Sequence, residues 1–279
     1  MKTTAQRFSA GVVVTYIVLV ALAAVYISPF VISVANSFKT DADATQNPMS
    51  LLPETFTWAA YERLFTGTDL PLSANSLVIT IIVTICRVFF DSLAGYALSR
   101  LRFAGRQAVF AIFVGVMAVP SVVLMIPRFL VIKELGIYDT YAGMILPLLV
   151  DATGIFIMKQ FFDSLPASIE EAARIDGAGV FRTFWSVTLP MATPSIITLT
   201  ILSFQGSWNE FSHFVISRQS PELHTLTTGV GALVSGQLGS GNQFPLKLAA
   251  AVLMTIPVAI VFFLFQRRIM STTEGAEKG

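Results

Sequence analysis

The sequence predicts an all-α, polytopic membrane protein with six transmembrane helices, and three observations carry that prediction. Six apolar stretches are each about 20 residues long, enough for a helix to cross the roughly 30 Å hydrocarbon layer. They lie at approximately 12–35, 75–98, 108–127, 142–162, 195–217 and 248–266. The chain of 279 residues is 54% hydrophobic and only 13% charged, with a mean hydropathy of +0.72; soluble domains carry about a quarter charged residues. Between the fourth and fifth stretches runs a polar connection, 163–194, with charges, a double-Gly turn and two prolines in its second half. Polar backbone of that kind belongs in water, so it reads as a surface flanked by lipid-embedded helices.

The segments are justified in order. The first follows Lys2 and Arg7 and contains Ala21-Leu22-Ala23, which resembles a signal-peptide cleavage site. Its apolar run continues to Val34, so an uncleaved anchor is expected. The loop 36–74 contains Pro48, Pro53 and Pro71 and an amphipathic stretch, Phe56–Phe65, suited to lying at the membrane interface. The second segment carries Arg87 and Asp91, four residues apart and able to face one another on one side of a helix. Charge at bilayer depth costs about 2.5–3.5 kcal/mol on insertion scales, so a structural pair that satisfies itself or a neighbouring helix, or a place in the transport pathway, is expected. The fourth segment carries Asp151 with no partner within one turn, which points to protein or a water-filled cavity, as a structural group or as part of the solute pathway. The fifth carries Trp208-Asn209-Glu210. An aromatic face beside an amide and a carboxylate suits a sugar, and it equally suits an interface between two membrane subunits.

Loop 163–194 also reads locally. Pro166 ends the fourth segment. Ser168 and Glu171 have capping-box spacing, which predicts a short helix from about Ile169. The small pair Ala172-Ala173 would admit close approach of a partner. Gly177 and Gly179 should stop and turn the chain, and a second helix, roughly 181–188, should run to Pro190.

Lys and Arg set the orientation. With both termini in the cytoplasm, eleven fall inside and six outside, with Arg87 within a segment. That places 163–194 in the cytoplasm and 36–74, 128–141 and 218–245 outside. The whole of 1–279 reads as a single transmembrane domain. Net charge is +1, so nothing suggests nucleic acid. The lone Cys86 cannot form an internal disulfide, and His213 and His224 fall short of the three or four ligands of a zinc site. They also offer no catalytic constellation, so no enzyme is expected. No G-x-x-x-x-G-K-[ST] occurs, so a transporter built on this chain and driven by ATP would need its nucleotide and Mg²⁺ on another subunit.

Glu171-Ala172-Ala173, three residues, Gly177, nine residues, Val187, one residue and Leu189-Pro190 resembles the "EAA" loop of permease subunits of bacterial ABC importers, with Val187 where that family has Ile. Asp176-Gly177-Ala178, Phe184 and Pro194 are similar to its carbohydrate-importer branch. So are Asn36-Ser37-Phe38-Lys39, Asn75-Ser76, the A-x-Y-A-x-x-R ending at Arg100, Trp208-Asn209-Glu210-Phe211, and the tail Gly275-Ala276-Glu277-Lys278-Gly279. The resemblance implies the maltose-permease-like second subunit of a bacterial inner-membrane importer working by alternating access. It implies a second homologous permease, two ATPases and an extracytoplasmic sugar-binding protein as partners, with membrane lipid around them and a sugar or sugar-like solute as cargo. It implies ATPase docking by Glu171, Ala172, Ala173, Asp176, Gly177, Leu189 and Pro190, and a tail in which Gly275, Ala276, Lys278 and Gly279 reach the ATPases. It also gives loop 218–245 a reach toward the binding protein. The rival reading is an ion-coupled secondary transporter, for which Asp91, Asp151 and Glu210 are available but a repeat symmetry is not visible.

Overall fold

A computed structural model of the chain describes residues 10–66, 70–234 and 243–276. The tail residues Lys278 and Gly279 lie outside the described residues, and Gly275 and Ala276 end the last helix. Among the described residues every regular element is helical. The helices are α1 (Ala10–Ser37), α2 (Asp41–Gln46), α3 (Ala59–Thr66), α4 (Leu70–Arg100), α5 (Arg106–Met117), α6 (Met125–Glu134), α7 (Tyr141–Ile145), α8 (Ala152–Ser164) and α9 (Ala167–Ile175). They continue with α10 (Val180–Thr183), α11 (Leu189–Met191), α12 (Thr193–Trp208), α13 (Ser212–Ser217), α14 (Leu226–Val234) and α15 (Phe244–Ala276).

Among the described residues, four apolar stretches are long enough to cross a membrane: Gly11–Ser37, Ala74–Arg100, Tyr141–Ser164 and Phe244–Gln266. A fifth is gained if Val180–Met191 and Thr193–Trp208, bent by 80° at their junction, count as one. The expected third span differs most. Its helix α5 has 12 residues, about 18 Å of rise and well short of the bilayer. α5 stops at Met117, shortly before Pro120, a residue that disfavours helical backbone at the position preceding it, and helix returns only at Met125. The fifth span is also interrupted, since α12 ends at Trp208 and α13 begins at Ser212.

The chain forms two compact units. In the first, Met1–Thr68 with Leu233–Leu253, α1 is exposed along most of its length, and the chain leaving it is pinned by its own side chains. Lys39 is buried and donates to the carbonyls of Asn47 (2.7 Å) and Ser50 (2.8 Å). Asn36 donates to Pro48 O, and Phe38 stacks on Phe56 beside Trp58 and Tyr61. Of the amphipathic stretch 56–65, only Ala59 onward is helical, and Phe56, Trp58 and Tyr61 gather on Phe38.

The second unit, Asp69–Ala232 with Met254–Gly279, is organised by α4 against α8 and α12. Tyr96, Met158, Phe162, Phe184, Ala192 and Leu199 form one core, and Ile79, Val83, Met144, Leu148 and Phe214 another. Close approach of α4 to α8 depends on two glycines. A Cβ on Gly95 would lie 2.7 Å from Met158 Cβ, and one on Gly154 would lie 2.1 Å from the Asp91 carboxylate.

Candidate docking loop and solute pathway

The first helix of the loop begins at Ala167 rather than Ile169. Pro166 occupies the cap position of α9 with no side-chain cap bond. Helix starts two residues before the expected point, so Ser168 is already inside it and the Ser168–Glu171 capping box does not form. The end of α9 follows expectation closely. Gly177 takes φ +78°, its N–H bonds Arg174 O (3.0 Å), and Ala178 N–H bonds Ala173 O (2.9 Å). Those two bonds close a left-handed helix terminus that glycine adopts without a Cβ penalty. Gly179, by contrast, has φ −71° and ψ 166°, ordinary extended backbone that needs no glycine.

The chain then runs through α10, a π-helical turn at Phe184–Thr188, and α11. The turn is held by Thr188 Oγ1 donating to Phe184 O (3.2 Å), and it drives the buried Phe184 ring against Tyr96 and Phe162. The docking set thus divides. Glu171, Ala172, Asp176, Gly177 and Pro190 face outward, Ala173 is buried against its own chain, and Leu189 packs partly into the core. Around the outward group stand Ile175, 87% exposed, and Phe181, 68% exposed.

Glu170, only 6% exposed, is the residue that sequence reasoning missed. It pairs with Arg100 at the end of α4 (3.4 Å) and more loosely with Arg174 (3.9 Å). The Arg100 guanidinium also donates to Phe162 O, which accepts from Leu165 N–H as well, and to Leu165 O (2.6 Å), both at the end of α8. Ser99 reaches Asp163 (2.6 Å) alongside. The docking loop is therefore fastened to the ends of two long helices by one arginine. The available signal was the i,i+4 spacing of Glu170 and Arg174.

Of the two structural arrangements open to Arg87 and Asp91, the pair does not close on itself but serves neighbouring elements. Arg87 Nε donates to Leu148 O (2.5 Å), while Asp91 accepts from Asp151 N–H (3.1 Å). Both therefore serve the break between α7 and α8, satisfying a carbonyl and an amide freed where the helix opens. Asp151 caps α8 by accepting from Gly154 N–H (3.1 Å), a partner within one turn that the sequence reading lacked.

Trp208, Asn209 and Glu210 sit at the second break. Trp208 is buried, stacks on Phe204 and donates to Met254 O (2.9 Å). Asn209 is exposed. Glu210 accepts from His213 N–H (2.9 Å), capping α13, and its carbonyl accepts from Thr227 (2.7 Å).

At the far end of α4, Asn75 donates to Glu222 O (2.6 Å) and His224 O (2.9 Å), and Ser76 accepts from Leu226 N–H (2.7 Å). Asp139, at φ +58°, accepts from the amides of Gln219 and Ser220, and these bonds hold its carboxyl below the usual range. Arg218 donates to His224 Nδ1 (2.7 Å). Burial first, then the Arg218 charge, lowers the His224 pKa.

The sequence pattern of the family described as binding-protein-dependent transport system inner membrane component matches residues 92–273. The chain belongs to that family. This permease is 33% identical to the inner membrane ABC transporter permease protein YcjP of Escherichia coli K12, over 90% of this chain and 91% of that one. It is 30% identical to the arabinooligosaccharides transport system permease protein AraQ of Halalkalibacterium halodurans, over 92% and 93%. Among solved structures it resembles a bacterial ABC transporter that imports the acidic polysaccharide alginate, with a TM-score of 0.79 at 26% identity over 96% of this permease and 99% of that chain. The family match starts beside Asp91 and takes in both helix breaks and the whole docking loop.

Proposed function

We propose that this permease forms half of the translocation pathway of an ATP-driven importer for a carbohydrate. A second permease completes the pathway, two ATPase subunits bind beneath, and an extracytoplasmic binding protein delivers the cargo. Similarity to a permease for arabinooligosaccharides and to an importer of alginate supports the solute class. The observation that carries the mechanism is the fastening of the α9 docking face, through Glu170 and Arg100, to the ends of α4 and α8. A push on exposed Ala172 or Ile175 of α9 is passed through the Glu170–Arg100 pair to the ends of α4 and α8. The excess of Lys and Arg supports placing loop 163–194 and both termini in the cytoplasm. Coupling requires the ATPases to contact α9 differently in their open and closed states.

Reconstitution tests this reading. Purified permeases and ATPases in proteoliposomes should take up a labelled oligosaccharide only with ATP and binding protein present. Collapsing Na⁺ and H⁺ gradients should leave uptake intact. Uptake that follows an ion gradient and ignores ATP would establish the secondary-transporter reading instead.

A further inference from the structure

The turn between α4 and α5 carries positive charge that the docking reading does not use. Two adjoining cavities, of about 710 and 560 Å³, share Arg102 and Arg106 in their walls. The second cavity is lined by four arginines (100, 102, 106 and 174) against two glutamates (170 and 171), an excess of two positive charges. Arg100 and Arg174 are occupied with Glu170. Arg106 donates only to neutral carbonyls, Ser99 O (3.1 Å) and Leu101 O (3.3 Å), so its charge is uncompensated. Arg102 is exposed, with no hydrogen bond or ion pair to any described residue.

What lies beside this pocket selects its occupant. From Gly105 in the cavity wall, the helix spacing i, i+4, i+7, i+11 leads to Val109, Ile112 and Val116. All three are exposed, Ile112 by 65%, and α5 buries none of its residues in this chain. A cationic pocket continuous with an apolar helix face matches one kind of molecule from end to end. The geometry points to a specific site for an anionic phospholipid, its phosphate held by Arg102 and Arg106 and its acyl chains laid along 109–116. Basic pockets at the membrane surface are ready sites for such headgroups, and the arginine fork suits phosphate oxygens. Because the same pocket borders α9, an occupied site would brace the docking loop through Arg100 and Arg174.

The test is lipid retention by the assembled importer extracted from vesicles of equal phosphatidylglycerol and phosphatidylcholine, read by native mass spectrometry. Phosphatidylglycerol should be retained preferentially. Arg102→Gln, which breaks no internal contact, should weaken that preference about five-fold, the effect of one surface charge, and Arg102→Glu should abolish it. Arg106→Lys, which keeps the charge, should retain it. Excess soluble glycerol phosphate should not release the lipid. Equal retention of both lipids, or an unchanged preference in Arg102→Glu, overturns the proposal. So does release by soluble glycerol phosphate, which would make this a free-anion site. Loss of the ATPase from Arg102→Glu with lipid preference intact would assign the charge to subunit docking and likewise overturn it.

Discussion

Arg100 shows how one side chain joins a loop to a bundle. Its charge meets buried Glu170, and its planar fork reaches two carbonyls at the end of α8. Removing one member of a buried pair leaves the other charge without compensation, typically at about 3–5 kcal/mol. Arg100→Ala should therefore destabilise the permease by about 3 kcal/mol, whereas Glu170→Gln, which leaves the Arg100 guanidinium bonded to the Phe162 and Leu165 carbonyls, should cost less. A double-mutant cycle on thermal unfolding in nanodiscs checks this; a coupling energy near zero would remove Arg100 from the role given to it. At the other end of α4, His224 accepts from Arg218 through Nδ1 and must be neutral to do so. Its lowered pKa means that the folded state resists protonation. Loop stability is then fully present above the unfolded value of about 6.5, and it is lost as pH falls from there through the folded value. Protection factors across 218–228, which are corrected for the intrinsic pH dependence of exchange, should fall as pH drops below about 6.5. In His224→Asn, whose amide oxygen replaces Nδ1 as acceptor and does not titrate, that fall should disappear.

At the scale of elements, close packing of α4 on α8 sets which positions tolerate a side chain. Gly95 and Gly154 leave no room for a Cβ, with Met158 Cβ and the Asp91 carboxylate in the way. Gly115 in α5 has nothing within 4 Å. Gly154→Ala and Gly95→Ala should each destabilise by more than about 2 kcal/mol through overpacking. Gly115→Ala should be neutral or stabilise by up to about 1 kcal/mol, since alanine is the better helix former. Thermal unfolding of the three variants would show it, and equal midpoints would refute the packing account. The long helices were legible in the sequence because about 20 apolar residues in lipid have few alternatives. The Gly177 terminus was legible because the left-handed region singles out glycine. The interruptions at 118–124, 149–151 and 209–211 were not. A break inside an apolar run keeps its composition, and what sustains it lies far away in the chain. Leu148 O depends on Arg87 and Asp151 N–H on Asp91, about 60 residues earlier. Spacing alone paired those two charges with each other, because i,i+4 neighbours on one helix offer no hint of a third element between them. Glu170 was overlooked beside Glu171 for a similar reason: only α4, folded alongside, decides which glutamate turns inward.

Across the whole molecule, α4 links the two ends of the proposed transport cycle. Asn75 binds the 218–228 loop and Arg100 binds the docking loop. At 1.5 Å per residue they stand about 37 Å apart, slightly more than the hydrocarbon thickness. Arg87 falls halfway between them. The stitched break at 148–151 therefore lies near the middle of the bilayer, where opened backbone is tolerated only against protein or a water-filled cavity. The second break is joined to the first through His213 Nε2 and Met144 O (3.0 Å). Glu210 is consumed in capping α13, while Asn209 beside it is exposed in this chain. This separates two residues that the sequence offered together. In the assembled importer, with Cys86 replaced by Ser, Asn209→Cys should react with a water-soluble thiol reagent in one transport state more than the other. Trp208→Cys, buried against Phe204 and Met254, should react in neither. Glu210→Gln keeps an acceptor oxygen for His213 N–H and should retain most uptake per assembled complex. Glu210→Ala leaves that amide unpaired, which costs about 1–3 kcal/mol, and should lower complex yield before it lowers transport. Equal labelling of positions 208 and 209, or a Glu210→Gln complex that assembles normally but transports nothing, would place the carboxylate on the solute path and remove it from the scaffold of the break.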